Sequence, residues 1–387
     1  MRSKAAQAPR LVAWEVTRAC DLACQHCRAV AQAVADPRQL STTEGARLID
    51  QIAAFGEPVI LILTGGDPLK RPDIFDLAAR ATQAGLRVVM SPSGTQVTPA
   101  TVAELRRVGV QRISVSLDGS TPALHDGFRR VPGAFEAATA SLAYAREGGL
   151  PFQINTTVTR HNQHDLEAML DTAVALGAVT WDVFMLVPTG RGTVQMEISP
   201  AEYEAALHFV LDAAGRAPIQ VKTTCAPHYK RIQIEDRRQR PTTARGGGHG
   251  HPHGFSRGCM AGFGFCFVSH IGEVGGCGYL PLLAGNVRET PLPTIYRDAP
   301  LFQSLRDPNL LQGRCGQCEY RMLCGGCRAR ALGATGNYLD EEPFCTYTPA
   351  PQHHRELTNV EALVTHTVSH EHRADGAPHP DLVPPVL

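Results

Sequence analysis

Six short stretches, 11–17, 59–64, 86–90, 112–117, 151–159 and 180–187, are rich in apolar and β-branched residues. Such runs suit strands of a buried sheet. Between them apolar residues return every three or four positions over 42–55, 72–84, 98–108, 133–147 and 163–176, and again over 200–214. That spacing predicts helices with one face on a core. Thr98-Pro99 and Ser199-Pro200 read as an N-cap followed by proline in the first turn. Six strand–helix units in strict alternation predict an α/β fold with a parallel sheet, either open or curled into a barrel. In such folds the chemistry collects just beyond the C-terminal ends of the strands.

The pattern changes near residue 236. Residues 236–254 are charged and then Gly/His-rich, which predicts a linker. Residues 255–350 hold eight of the chain's cysteines among many glycines and show little periodicity. A segment of that kind is expected to be organised by metal more than by an apolar core. Residues 351–387 are polar and rich in His and Pro, as expected of a disordered tail.

Charge narrows the function. The 387 residues carry 37 Lys+Arg and 37 Asp+Glu, a balance that argues against a nucleic-acid or membrane-surface partner. The N-terminus has no apolar core of a signal peptide, and no apolar run is long enough to span a bilayer. A cytoplasmic location is expected, where thiols stay reduced. Twelve cysteines there point to metal sites more than to disulfides.

Cys20-x3-Cys24-x2-Cys27 follows the first predicted strand. Three thiolates on one tight loop can hold three irons of a 4Fe–4S cluster and leave the fourth open; zinc, with His26 inside the loop, is the other reading. The segment resembles the radical S-adenosylmethionine superfamily. That resemblance implies a partial (βα)6 TIM-type barrel over 9–235. It also implies that S-adenosylmethionine chelates the open iron and, after one-electron reduction, releases a deoxyadenosyl radical. Gly65-Gly66-Asp67-Pro68 is similar to the family's Gly-Gly-Glu-Pro turn, with Asp67 replacing the usual Glu. On the same resemblance, Ser116, Asp118, Arg129, Asn155, Pro188 and Gly190 are further cofactor contacts.

The later cysteines read Cys259-x6-Cys266, then Cys277, then Cys315-x2-Cys318-x5-Cys324-x2-Cys327, then Cys345. Four pairs of thiolates suit two zincs, two 4Fe–4S clusters, or one of each. The pattern resembles the SPASM extension, which implies two auxiliary 4Fe–4S clusters. Cys259, Cys266, Cys277 and Cys327 would hold the first, and Cys315, Cys318, Cys324 and Cys345 the second. Two residues precede Cys327 where the family commonly has three. Cys225 is left over, either as a small apolar residue or as a group near substrate. His249, His251 and His253, and the tail histidines His353, His354, His366, His370 and His372, are expected to be solvated.

Several longer stretches, among them Leu-Val-Pro-Thr-Gly-Arg-Gly and Cys-Ala-Pro-His-Tyr, are similar to the heme-biosynthetic branch of the superfamily. That resemblance spans about 9–350 and implies oxidative decarboxylation of propionates on a carboxylated tetrapyrrole. It also implies an electron donor such as ferredoxin or flavodoxin. Arg191, Lys222, Lys230 and Arg231 are candidate propionate partners, and His228 or Tyr229 could approach the tetrapyrrole iron. The alternatives are a peptide-modifying enzyme of the same SPASM type and an electron-transfer or cluster-carrier protein without radical chemistry.

Overall fold

Strand β1 (Leu11–Thr17) is buried along its whole length because it has a neighbour on each side. In the computed structural model, which describes residues 4–239 and 257–350, it pairs in parallel with β2 (Ile60–Gly65). The sheet continues through β3 (Arg87–Met90), β4 (Arg112–Ser116), β5 (Phe152–Val158) and β6 (Thr180–Met185) to β7 (Gln220–Thr224), each parallel to the last. These are the six predicted strands and the one that follows the sixth predicted helix.

On its other side β1 pairs in parallel with β8 (Phe265–Val268). Antiparallel β9 (Glu273–Gly275) and β10 (Leu283–Asn286) complete one open ten-stranded sheet, in the order β10-β9-β8-β1-β2-β3-β4-β5-β6-β7. The fold is a partial TIM-type barrel that does not close, with the C-terminal extension built onto its first strand.

The helix-facing side of β1 contributes Val12, Trp14 and Val16 to the main core. Cys266, Val268, Val274, Leu292, Ile295, Tyr296 and Phe302 join that same core. The cysteine-rich segment is thus anchored by apolar burial over 265–302, contrary to the expectation of a mainly metal-organised stretch. Strands of three or four residues between glycines are too short for their alternation to stand out in sequence.

Helix boundaries follow local chemistry. Ser41 with Glu44, and Ser199 with Glu202, form reciprocal capping boxes at helices Thr42–Ala53 and Pro200–Arg216. The Pro122–Arg129 helix, not among the predicted elements, starts at Thr121 with Pro122 in its first turn. Helix Tyr229–Gln239 runs past residue 236, where the linker was expected to begin. The histidines at 249, 251 and 253, the tail histidines and the expected tail 351–387 lie outside the described residues. The chain divides into units Met1–Thr348 and Pro349–Leu387, and the elements above belong to the first. No described helix is long and apolar enough to cross a membrane.

Candidate metal and cofactor centre

The loop leaving β1 turns Cys20, Cys24 and Cys27 into one cluster with Leu22, Ala31, Val131 and Ala134. Each sulfur accepts a hydrogen bond: Leu22 N–H to Cys20 Sγ at 3.4 Å, Ala31 N–H to Cys27 Sγ at 3.4 Å, and Arg129 Nη1 to Cys24 Sγ at 3.3 Å. Donors aimed at sulfur favour the thiolate. Burial works the other way and, with Asp67, Cys24 and Cys27 as negative neighbours, pushes the Cys20 thiol up to about 12. Three sulfurs so placed ionise together only when a cation shares the site. The donor set is that of an iron–sulfur cluster with one position open. Among the described residues no three His, Cys, Asp or Glu side chains converge closely enough to hold a single metal ion.

Two loops brace this one. Gly66 N–H donates to Thr17 O at 2.8 Å and Asp67 N–H to Ala19 O at 2.7 Å. A Cβ on Gly66 would lie 2.4 Å from Ala19 O, so the Gly-Gly turn is needed for the close approach of the β1 and β2 loops. Asp67 is fully buried, accepts from Leu69 N–H at 3.0 Å and from the Ser93 hydroxyl, and caps the short Pro68–Lys70 turn. Its burial raises its pKa. From β6, Gly190 adopts φ +66°, and a Cβ there would lie 2.4 Å from Arg28 O. Pro188 lies just ahead of it in the same loop. Arg191 then donates to Cys24 O at 2.9 Å and Ala31 O at 3.1 Å. It clamps the cysteine loop, a role its sequence reading as a propionate partner missed.

Beyond β4, Ser116 sits in register with Asn155 on β5, whose Oδ1 accepts from Gln153 at 2.7 Å. Asp118 is fully buried, pairs with Arg129 and accepts from Thr157 N–H at 2.7 Å. Burial opposes its ionisation, but Arg129 and the nearby histidines hold its pKa below the ordinary value. Arg129 therefore spans the buried carboxylate and the Cys24 sulfur. His26 stacks on Phe128 at 4.4 Å, and Phe128 in turn stacks on His161 at 5.6 Å. Burial pulls His26 down to about 4, and its buried Nδ1 has no hydrogen-bond partner, an unmet polar group where a bound cofactor can supply one.

The other cysteines form two groups. Cys315, Cys318, Cys324 and Cys345 neighbour one another, with backbone N–H groups of Glu342, Tyr320 and Gly326 donating to the first three sulfurs at 3.3, 3.4 and 3.5 Å. Cys259, Cys277 and Cys327 share a second apolar pocket with Cys225. Cys266 is not among them; it is fully buried in the main core, opposite Val12. Arg330 and Glu342, 2 % and 1 % exposed, pair at 3.1 Å beside the Cys225 pocket, and Glu342 accepts the Cys327 N–H at 2.7 Å.

Most of the remaining substrate candidates are already engaged. Lys222 pairs with buried Asp182 at 3.3 Å, and Arg231 pairs with Glu204 and, at 2.7 Å, with Glu235. Lys230 has its pKa lowered by burial and has no carboxylate partner among the described residues. Tyr229 is buried. His228, 1 % exposed, stacks on Tyr203 at 4.7 Å with neither ring nitrogen hydrogen-bonded, and burial pulls it down to about 4.

Residues 14–173 match the radical SAM superfamily, and residues 259–327 match the iron–sulfur cluster-binding domain called SPASM. Over 342 residues the chain is 49% identical to the AdoMet-dependent heme synthase of Methanosarcina barkeri, covering 88% of this chain and 97% of that protein. It is 31% identical over 359 residues to the Fe-coproporphyrin III synthase of the same organism, covering 87% of this chain and 88% of that one. The structure of Streptococcus suis SuiB bound to S-adenosylmethionine superposes with a TM-score of 0.69 at 17% identity, over 88% of this chain and 78% of that one. That likeness is one of fold.

Proposed function

This chain belongs to the radical SAM superfamily, in its heme-synthesis branch with a SPASM extension, and on that premise we propose that it converts propionate side chains of iron-coproporphyrin III to vinyl groups, yielding heme b. The observation that carries the proposal is the 49% identity to an AdoMet-dependent heme synthase over 97% of that relative's length. With S-adenosylmethionine and the 4Fe–4S cluster bound, the site is supplied with one-electron cleavage of the cofactor and a radical able to take hydrogen.

The chain's own residues then have distinct tasks. Cys20, Cys24 and Cys27 hold the cofactor-binding cluster. The Gly65-Gly66-Asp67-Pro68 turn, Ser116, Asn155, Pro188 and Gly190 line the cofactor at the strand ends. Asp118 fixes Arg129, which keeps a positive group against the Cys24 sulfur. Residues 9–235 form the barrel and 255–350 the auxiliary cluster domain. Cys259, Cys277 and Cys327 serve one auxiliary cluster; Cys315, Cys318, Cys324 and Cys345 serve the other.

For each propionate the β-carbon loses one hydrogen atom, the carboxylate departs as carbon dioxide, and one electron leaves as the double bond forms; an auxiliary cluster held by the later cysteines would be its acceptor. Lys230 is the candidate cation for a second propionate or the scissile one, since no described carboxylate neutralises it. A ferredoxin or flavodoxin supplies the reducing electron, and the compartment is the cytoplasm.

The test is an anaerobic reaction of the reconstituted protein with iron-coproporphyrin III, S-adenosylmethionine and dithionite, followed by mass spectrometry. Loss of carboxylates in step with deoxyadenosine is the expected result. Deoxyadenosine with an unchanged porphyrin overturns the iron-coproporphyrin reading and points to a peptide or another tetrapyrrole.

A further inference from the structure

The resemblance to the SPASM extension implies a set of Cys266 with Cys259, Cys277 and Cys327, yet the fold places it apart from them. Cys266 lies on β8 in register with Val12 of β1, wholly inside the main core. Among the described residues the charged group beside it is Arg306, and no other cysteine lies near enough to affect it. A thiol in such surroundings acts as a small apolar side chain.

Cys225 occupies the contrasting position. It follows β7 at the C-terminal edge of the barrel and packs into the same apolar pocket as Cys259, Cys277 and Cys327. The ionisable groups around it include Cys327, Cys277, Arg330 and Cys259, with Tyr203 and Tyr279. Four sulfurs are therefore gathered there, the number that closes a 4Fe–4S cluster.

The backbone at Cys225 is held for a purpose. Its φ is +61°, a left-handed conformation that a non-glycine residue adopts only when its surroundings enforce it. Two groups do so: the Tyr203 hydroxyl donates to the Cys225 carbonyl at 2.8 Å, and Arg330 Nη2 donates to it at 3.1 Å. Arg330 also binds Glu342, which accepts the Cys327 N–H. One buried ion pair thus sets the backbone of both Cys225 and Cys327, and its guanidinium places positive charge beside the sulfurs, as groups supporting metal ligands do.

We propose that Cys225, and not Cys266, is the fourth ligand of the first auxiliary cluster. The inference rests on the SPASM reading of residues 259–327. It makes this cluster a joint product of the barrel and the extension, with one thiolate from the first and three from the second.

Iron and sulfide content and electron paramagnetic resonance of the reduced, full-length protein test it. The wild type is expected to hold about twelve irons per chain; a content near four would count against the auxiliary-cluster reading itself, separately from the ligand assignment. In Cys225→Ala one auxiliary cluster is expected either to be lost, lowering iron by about a third, or to remain with an iron whose signal shifts on adding cyanide. Cys225→Ser, which offers an oxygen ligand, is expected to keep the cluster with altered g values, a change that misfolding does not produce. The S-adenosylmethionine-dependent shift of the Cys20–Cys24–Cys27 cluster serves as the folding control in each variant. Cys266→Val is expected to match the wild type in iron and spectrum. A wild-type spectrum in Cys225→Ala, or loss of a cluster in Cys266→Val, overturns the proposal.

Discussion

Arg129 donates through Nη1 to Cys24 Sγ at 3.3 Å while the same guanidinium neutralises Asp118, a carboxylate with no solvent exposure. The arginine is thus shared between a thiol proposed to bind the cluster and a buried anion. Arg129→Met leaves Asp118 charged and unpaired, a loss of about 3–5 kcal/mol in stability. Chemical denaturation should show that loss, and deoxyadenosine formation should fall more than tenfold. Adding Asp118→Asn removes the orphaned charge and should restore much of the stability while leaving cofactor cleavage impaired.

Gly190 packs against the backbone of the cysteine loop at Cys27 and Arg28. Because its φ is +66° and a Cβ would meet Arg28 O at 2.4 Å, Gly190→Ala must displace residues next to Cys27. We expect cofactor cleavage to fall at least tenfold while auxiliary-cluster iron is retained. Equal loss of all clusters would show that the loop's position matters to the whole fold and not to this centre.

Acid sensitivity should trace to Glu15. Burial alone would raise its pKa, but hydrogen bonding from His270 and the charges of Arg28 and Arg18 bring it from 4.5 to about 2. A carboxyl with a depressed folded pKa contributes stability above its unfolded pKa and loses it as pH falls through the folded value. The window is therefore about pH 4.5 down to 2, and the contribution is about 3 kcal/mol. Denaturation of wild type and Glu15→Gln across pH 3–7 should give curves that converge toward the acid end.

Glu197 has the reverse sign. Burial, aided by Glu342 and only partly offset by Arg330, raises it from 4.5 to about 7. Its folded form holds a proton that the unfolded chain releases, so stability falls as pH rises from about 4.5 through 7. Glu197→Gln should equal the wild type below that window and exceed it at pH 8. A variant less stable at pH 8 would show that the contact with Arg330, at 3.8 Å, outweighs burial.

Apolar, β-branched runs make β1 to β6 legible, and periodic apolar positions the helices between them except Pro122–Arg129, since each buries its own face against an adjacent unit. The Cys20–Cys27 loop was legible for a different reason: its three thiols are close in sequence as well as in space. Cys225 and Cys327 meet across 102 positions through Arg330 and Glu342, and no local pattern encodes that. The burial of Cys266 in the main core is hidden for a related reason: a short strand buried on β1 looks, in sequence, like another ligand-bearing turn. The clamp that Arg191 makes is hidden likewise: an arginine reaching main-chain carbonyls is indistinguishable in sequence from one awaiting a carboxylate.

The pairing of Leu11–Trp14 with Phe265–Val268 has a consequence for biogenesis. On the ribosome, β1 emerges with its second partner still about 250 residues from synthesis, so an apolar edge able to recruit any strand waits through most of translation. Severing the chain before residue 257 would leave that edge permanently bare and deprive Glu15 of His270. The N-terminal segment alone should therefore collect in inclusion bodies and not persist as a smaller enzyme.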